Sequence, residues 1–292
     1  MVEVKREIDT FRRSRGQLAG TVGFVPTMGA LHEGHLSLMR LAVERADNLV
    51  VSIFVNPTQF GPDSDFEAYP RELERDRRKC AELGCDLIFA PTKEMMYEDD
   101  HSTSVSVGNL TDMMCGPHRP GHFEGVTTVV TKLFNIVEPD VAVFGRKDYQ
   151  QLAILRRMVR DLNVPVEIVG GPTIRETDGL AVSSRNRYLG EQERIDALSL
   201  SQALRTAWSR FRDGERDGEK LVAVAKERLL ESVDESAIDY VECVHPETLE
   251  TYEGENRGIG DGGAVVAMAV QVGAARLIDN LRLDGPLPDE LE

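Results

Sequence analysis

Between residues 21 and 170 the chain alternates short, almost wholly apolar runs with stretches of helical periodicity. This alternation limits the folds open to it. TVGFVPT (21–27), LVVSIFV (49–55), CDLIFA (85–90), VAVFG (141–145) and VPVEIVG (164–170) have the length and apolar character of buried strands. Between them, HLSLMRLAVERA (35–46), PRELERDRRKCAELG (70–84), GVTTVVTKLFNIV (125–137) and YQQLAILRRMVRDL (149–162) place apolar residues at helical spacing. Near-continuous apolar strands separated by helices predict a parallel sheet covered on both faces. TVGFVPT is expected to end as a strand at Pro26.

The texture changes after Gly170-Gly171-Pro172. RIDALSLSQALRTAWSRFRDG (194–214) and GEKLVAVAKERLLESV (218–233) read as amphipathic helices, and IDYVECV (238–244) and AVVAMAVQVGAARLIDN (264–280) contain strand-like runs. EGENRGIGDGG (253–263) reads as an exposed loop. The expected fold is α/β: a Rossmann-like doubly wound parallel sheet over residues 1–175, and a smaller α+β domain over 176–292. A boundary near 172–180 leaves Gly170, Gly171 and Gly179 as hinge positions.

Composition removes several classes of function. Fifty acidic against 34 basic residues leave a net charge of −16, which repels a nucleic-acid backbone and an anionic membrane surface. Only seven of the basic residues are lysine, a pattern that fits either a GC-rich genome or a salt-loving source. No apolar run approaches the ~20 residues of a membrane span. The charged start, MVEVKREIDTFRRSRGQLAG, has no apolar core of a secretory signal. Cys80, Cys85, Cys115 and Cys243 form no CxxC, so neither a zinc site nor a disulfide framework is expected. A cytoplasmic location fits these features.

MGALHEGH (28–35) follows the first apolar strand and opens a helix, the place where open parallel sheets bind nucleotides. Gly29 and Gly34 would let phosphate approach the backbone. His32 and His35, three apart, share a face of the first helical turn. Protonated, they could neutralise phosphate charge beside the positive end of the helix. Two histidines and two glycines in a turn can equally be structural. The segment has neither the GK[ST] of a Walker loop nor GxGxxG.

VPTMGALHEGH resembles the HIGH-type motif of the nucleotidyltransferase superfamily, which includes class I aminoacyl-tRNA synthetases. Its context resembles the pantothenate synthetase (pantoate–β-alanine ligase) family. Ordered motifs from about residue 20 to 190 carry the resemblance, which returns at ARLIDN (275–280). In SIFVNPTQF (52–60), Asn56 and Gln59 end a strand. By itself this is a turn; the resemblance puts Gln59 on pantoate and beside β-alanine. Tyr69 and Arg71 of YPR match a family pattern without an assigned role. In RPGHFEGV (119–126), Arg119 and His122 are candidates for the second substrate's carboxylate, or parts of an ordered loop.

FGRKDYQQL (144–152) resembles the family's FGEKDxQQ, where Gly145, Lys147 and Asp148 would meet ATP and Gln151 pantoate. A lysine–aspartate pair at a helix start is otherwise an ordinary cap. Arg146 departs from the family's usual glutamate, a charge reversal beside the nucleotide segment. DGLAVSSRNRYL (178–189) supplies Ser183, Ser184 and Arg185, which suit a triphosphate tail or a helix cap. The resemblance makes SSRN the phosphate-clamping second signature, with Ile174 and Val182 reaching ATP through the backbone. ARLIDN is expected to be structural, with Leu277 and Ile278 in the core.

The resemblance implies two steps. Pantoate carboxylate attacks the α-phosphorus of ATP and releases pyrophosphate, and the β-alanine amine then attacks the pantoyl-adenylate to give pantothenate and AMP. His35 is the expected proton-donating or charge-neutralising group, with His32, Lys147 and Arg185 assisting. Met28, Ala30, Leu31 and Glu33 complete the ATP-binding turn. Mg²⁺ is expected on the triphosphate without a named protein ligand. Closure of the second domain would keep water from the adenylate, and a homodimer is expected from the family. Three rivals remain: a plain nucleotidyltransferase, a class I synthetase fragment and an ATP-sensing module.

Overall fold

The structure is a computed structural model that describes residues 2–61, 66–67 and 69–291. Two compact units divide the chain. The first comprises Met1–Gly108, Arg119–Arg146 and Ile154–Pro172; the second comprises Asn109–His118, Lys147–Ala153 and Thr173–Glu292.

A six-stranded, all-parallel sheet forms the first unit, built from β1 (Glu3–Lys5), β2 (Val22–Thr27), β3 (Asn48–Ile53), β4 (Leu87–Phe89), β5 (Val141–Gly145) and β6 (Glu167–Gly171). Its order is β1-β4-β3-β2-β5-β6. The winding reverses between β2 and β5, which makes their carboxyl ends the topological switch point. Its helices are α1 (Ile8–Arg15), α2 (Glu33–Val43), α3 (Leu73–Glu82), the single turn α4 (Lys93–Met96), α5 (His122–Val137) and residues 154–161 of α6 (Tyr149–Asp161), whose first turn belongs to the second unit.

Side-chain alternation along the strands explains the two covered faces. Val25, Val51, Ile88 and Val143 pack with Leu38, Met39 and Ala42 of α2 and Cys80 of α3. The opposite face carries aromatic residues: Phe89 meets Phe11 of α1 at 4.7 Å between ring centroids, and Phe24 meets Phe134 of α5 at 6.4 Å. The doubly wound α/β expectation is therefore met.

Several boundaries differ from expectation. β2 continues through Pro26 to Thr27; pairing with β5 stops at Phe24, so no amide is needed from Pro26 on that side. β4 is only three residues long. β6 begins at Glu167 and ends with Gly170 and Gly171, which pair with Phe144 and Gly145. The charged N-terminus is β1 and α1, and it has a long-range task. Arg15 of α1 donates from Nε to the Val137 carbonyl (2.8 Å) and from Nη2 to the Glu138 carbonyl (2.9 Å), capping α5.

The second unit packs α7 (Glu191–Arg212) and α8 (Gly218–Leu230) on an antiparallel sheet of β7 (Ile238–Val244), β8 (Val265–Val272) and β9 (Ala275–Arg282), in order β7-β8-β9. Leu200, Leu204, Leu221, Val266, Met268 and Val270 are in its core. Segment 253–263 is more than an exposed loop. Ile259 is buried, and the Gly218 amide donates to the Arg257 carbonyl (2.8 Å), stitching the segment to the start of α8. In ARLIDN, Leu277 is buried as expected but Ile278 is half-buried; the alternating strand turns Asp279 inward instead. All four cysteines are buried thiols. No helix among the described residues is long and apolar enough to cross a membrane.

Candidate active site

The turn after β2 leads into α2 at the switch point. Met28 is half-buried, and Gly29 and Ala30 both have positive φ, 84° and 50°. The Gly29 amide donates to Thr27 Oγ1 at 3.2 Å. The amides of Ala30 and Leu31 each donate to Asp76 of α3 at 2.9 Å. A Cβ on Gly29 would stand 3.0 Å from that carboxylate, so the glycine answers to backbone geometry and to Asp76. Gly34 has a different reason. A Cβ there would lie 3.1 Å from the His32 ring, so its absence makes room for the imidazole.

His32 caps α2, and its ring stacks on His35 with centroids 4.1 Å apart and a 35° tilt. The His32 amide donates to His35 Nδ1 at 3.3 Å. With Nδ1 accepting, the N–H that the His35 ring can offer is on Nε2. Nε2–H is then its donor, one of the two roles expected of it. Glu33 is exposed and pairs with Arg40 further along α2.

Two further motifs join this turn within the first unit, one directly and one through the other. Gln59 Nε2 donates to Met28 Sδ at 3.2 Å, and Asn56 Nδ2 donates to Gln59 Oε1 at 3.2 Å. Asn56, itself buried, donates to the Gly125 carbonyl (3.1 Å) and accepts the hydroxyls of Tyr97 (2.8 Å) and Thr58 (3.0 Å). Because a carbonyl only accepts, this fixes the Asn56 amide, which in turn fixes Gln59 with its NH₂ toward Met28. His122, at the start of α5, bridges the next motif. Arg119 Nη1 donates to its Nε2 (3.1 Å), and its Nδ1–H donates to the Gln59 carbonyl (2.8 Å). Arg119 keeps its charge; His122 is a buried neutral strut.

Arg71 also has a visible task. Its guanidinium donates to the carbonyls of Phe66, Glu67 and Tyr69 at 3.1–3.2 Å, holding the loop in which Tyr69 is buried. Gly145 ends β5, and Arg146 after it is exposed.

The remaining candidates belong to the second unit. Lys147 is half-buried, and its carbonyl accepts from Asn280 Nδ2 of β9 at 2.8 Å. Asp148 is exposed and Gln151 half-buried. The adjacent Gln150 is buried and pins the 110–115 segment through Leu110, Met113 and Cys115. Ile174 and Val182 face each other across a hairpin, the Val182 amide donating to the Ile174 carbonyl at 2.9 Å. Ser183 caps the following 3₁₀ turn, its hydroxyl accepting the Arg185 amide at 3.3 Å; Ser184 and Arg185 are half-buried.

The root of the hairpin is held by a buried ion pair. Arg175 meets Asp279 through Nη1–Oδ2 (2.6 Å) and Nη2–Oδ1 (2.9 Å). Thus ARLIDN, expected to be purely structural, ties both candidate ATP segments of this unit to β9 through Asp279 and Asn280. Adjacent polar residues at the end of an apolar strand were the available signal; their partners, more than 100 residues away, were not legible.

Among the described residues no group of three His, Cys, Asp or Glu side chains could hold a metal.

Comparisons agree with this geometry. The sequence model of the Pantoate-beta-alanine ligase family matches residues 1–282. The pantothenate synthetase of Syntrophotalea carbinolica is 54% identical over 264 residues, 90% of this chain and 91% of that one. That of Thermotoga petrophila is 52% identical over 283 residues, 96% of this chain and 98% of that one. The crystal structure of pantothenate synthetase from Thermus thermophilus matches with a TM-score of 0.90 at 46% identity, over 97% of this chain and 99% of that one. The pantoate-beta-alanine ligase of Francisella tularensis, complexed with beta-gamma ATP and beta-alanine, matches with a TM-score of 0.76 at 30% identity, over 98% and 99%. With sequence, fold and switch-point turn in agreement along almost its whole length, the chain belongs to the pantoate–β-alanine ligase family of enzymes.

Proposed function

We propose that the chain condenses pantoate with β-alanine at the expense of ATP, through a pantoyl-adenylate, releasing AMP and pyrophosphate. The observation that carries this reading is the stacked His32–His35 pair at the start of α2, at the switch point of the sheet and set beside the Gln59 amide through Met28. A carboxylate resists attack because its charge repels a nucleophile and oxide leaves poorly; linkage to AMP removes both obstacles. Charge builds on the α-phosphoryl and bridging oxygens as pyrophosphate departs, and donors aimed there lower the barrier.

His35 supplies its Nε2–H to that charge, with His32 beside it. Lys147 and Arg185 add positive charge along the triphosphate. Gln59, whose amide orientation is fixed, donates to a pantoate oxygen, and Gln151 holds pantoate from the other motif. Arg119 takes the β-alanine carboxylate, with His122 holding it. Ser183, Ser184 and the backbone of Ile174 and Val182 bind ATP, and residues 176–292 act as a lid that limits hydrolysis of the adenylate. The family match and the ATP and β-alanine named for the Francisella enzyme support these roles.

The test is pantoate-dependent exchange of pyrophosphate into ATP. His35→Ala is expected to lower its rate ~10²–10³-fold, the usual loss for one such donor. Parental exchange in that variant contradicts the role. AMP release that persists without β-alanine and pantoate contradicts the reaction.

A further inference from the structure

The backbone of the turn is held from outside it. Gly29 and Ala30 stand in succession in the left-handed region, with φ of 84° and 50°. A residue with a Cβ keeps that conformation only where its surroundings enforce it. Helix α3 does so. Asp76, fully buried, places one carboxylate oxygen on each of two consecutive amides, Oδ2 on Ala30 and Oδ1 on Leu31, both at 2.9 Å. Lys79, one turn along α3, donates to the Leu31 carbonyl. Three successive peptide groups, 29–30, 30–31 and 31–32, are thereby tied to one helix. The next residue is His32.

This clamp also decides how the turn can meet an anion. In a loop that cradles phosphate, consecutive amides point at the ligand. Here the amide of Gly29 goes to Thr27, those of Ala30 and Leu31 to Asp76, and that of His32 to His35. Four consecutive donors are occupied by protein acceptors, and one of those acceptors is a carboxylate. Anion recognition passes to the imidazoles, whose aim depends on the backbone beneath them. Burial pushes the Asp76 carboxyl above its ordinary range, against the pull of the Leu31 and Ala30 amides and Lys79, with Glu72 adding to the rise. A group needed only to fill space would not carry that cost.

We propose that Asp76, assisted by Lys79, is a positioning residue for the adenylation step: α3 fixes the path of residues 29–31 and so the angle at which His32 and His35 meet the triphosphate. This rests on the ligase reading above. Asp76→Asn keeps the shape but has a single acceptor oxygen, so one of the two amides must face an NH₂ group. Pantoate-dependent pyrophosphate–ATP exchange and backbone amide hydrogen exchange are measured on the same preparations.

Asp76→Asn is expected to lower kcat for the exchange about 10²-fold, the cost of a small misplacement, with KM for pantoate within about twofold of the parent. The amides of Ala30 and Leu31 exchange faster while those of β2 do not change. Lys79→Met lowers kcat about tenfold in fully folded protein. Asp76→Asn with the parental kcat overturns the proposal, as does a loss that only tracks the folded fraction. If Asp76→Asn does not fold, Lys79→Met with the parental kcat overturns it. A parent enzyme without pantoate-dependent exchange defeats the ligase reading and this inference together; exchange shared by parent and variants defeats this inference alone.

Discussion

At the scale of single residues, the histidine pair and its surroundings divide the work. Gly34 exists beside His32 because any larger residue would press on the ring. Gly34→Ala places a methyl 3.1 Å from that imidazole, so the ring must give by a few tenths of an ångström and the stack on His35 is disturbed. A roughly tenfold fall in exchange kcat is expected, with a small change in melting temperature, since the position is half-buried and helical. An unchanged kcat would show that the stack is incidental.

Asp76 gives a pH prediction with a definite sign. Its folded pKa lies above the unfolded one, so between those two values the folded state binds more protons. Its contribution to stability is complete below the unfolded value and is lost as pH rises through the folded one. Unfolding free energies of the parent and Asp76→Asn across this acidic interval should diverge, the parent showing the steeper loss with rising pH. Parallel curves contradict the assignment. The ionised carboxylate is the form whose two oxygens accept the Ala30 and Leu31 amides.

At the scale of elements, what was legible followed from burial. β2, β3, β5 and α5 announced themselves because each buries most of its residues, and α2 through the helical spacing of its buried Leu38, Met39 and Ala42; apolar periodicity records both directly. β1 and β4, three residues each, are too short for a period to show. The charged N-terminus concealed α1, whose arginines serve the carbonyl end of α5 more than 100 residues away. The candidate residues of MGALHEGH, QF and RPGH could be named from sequence. That Met28, Gln59, His122 and Arg119 form one hydrogen-bonded series could not, because neither Asp76, Tyr97 nor the tautomer of His122 carries a mark in the sequence.

The hairpin of residues 174–182 gives the clearest elemental prediction. Its Arg175–Asp279 pair has side chains only 1% and 2% exposed. Arg175→Met or Asp279→Leu alone strands a buried charge and should cost ~3–5 kcal/mol of stability. The double variant should cost less than the sum of the two, because no charge is left unpaired. Additive losses in a double-mutant cycle of denaturant unfolding contradict this account.

At the scale of the whole molecule, the net charge of −16 matters more than any surface ion pair. Mutual repulsion weakens as the screening length falls, so raising KCl from about 0.05 M to about 0.5 M should raise the melting temperature. A fall on adding salt would mean that the surface pairs outweigh the repulsion.

Ligation through an adenylate fixes the route of one oxygen atom. The most direct measurement gives the enzyme ATP, β-alanine and pantoate labelled with ¹⁸O in its carboxylate, and follows the phosphorus products by NMR. Adenylate formation predicts one labelled oxygen on the phosphate of AMP and none on pyrophosphate. Label in inorganic phosphate with ADP as the nucleotide product, or unlabelled AMP, contradicts it.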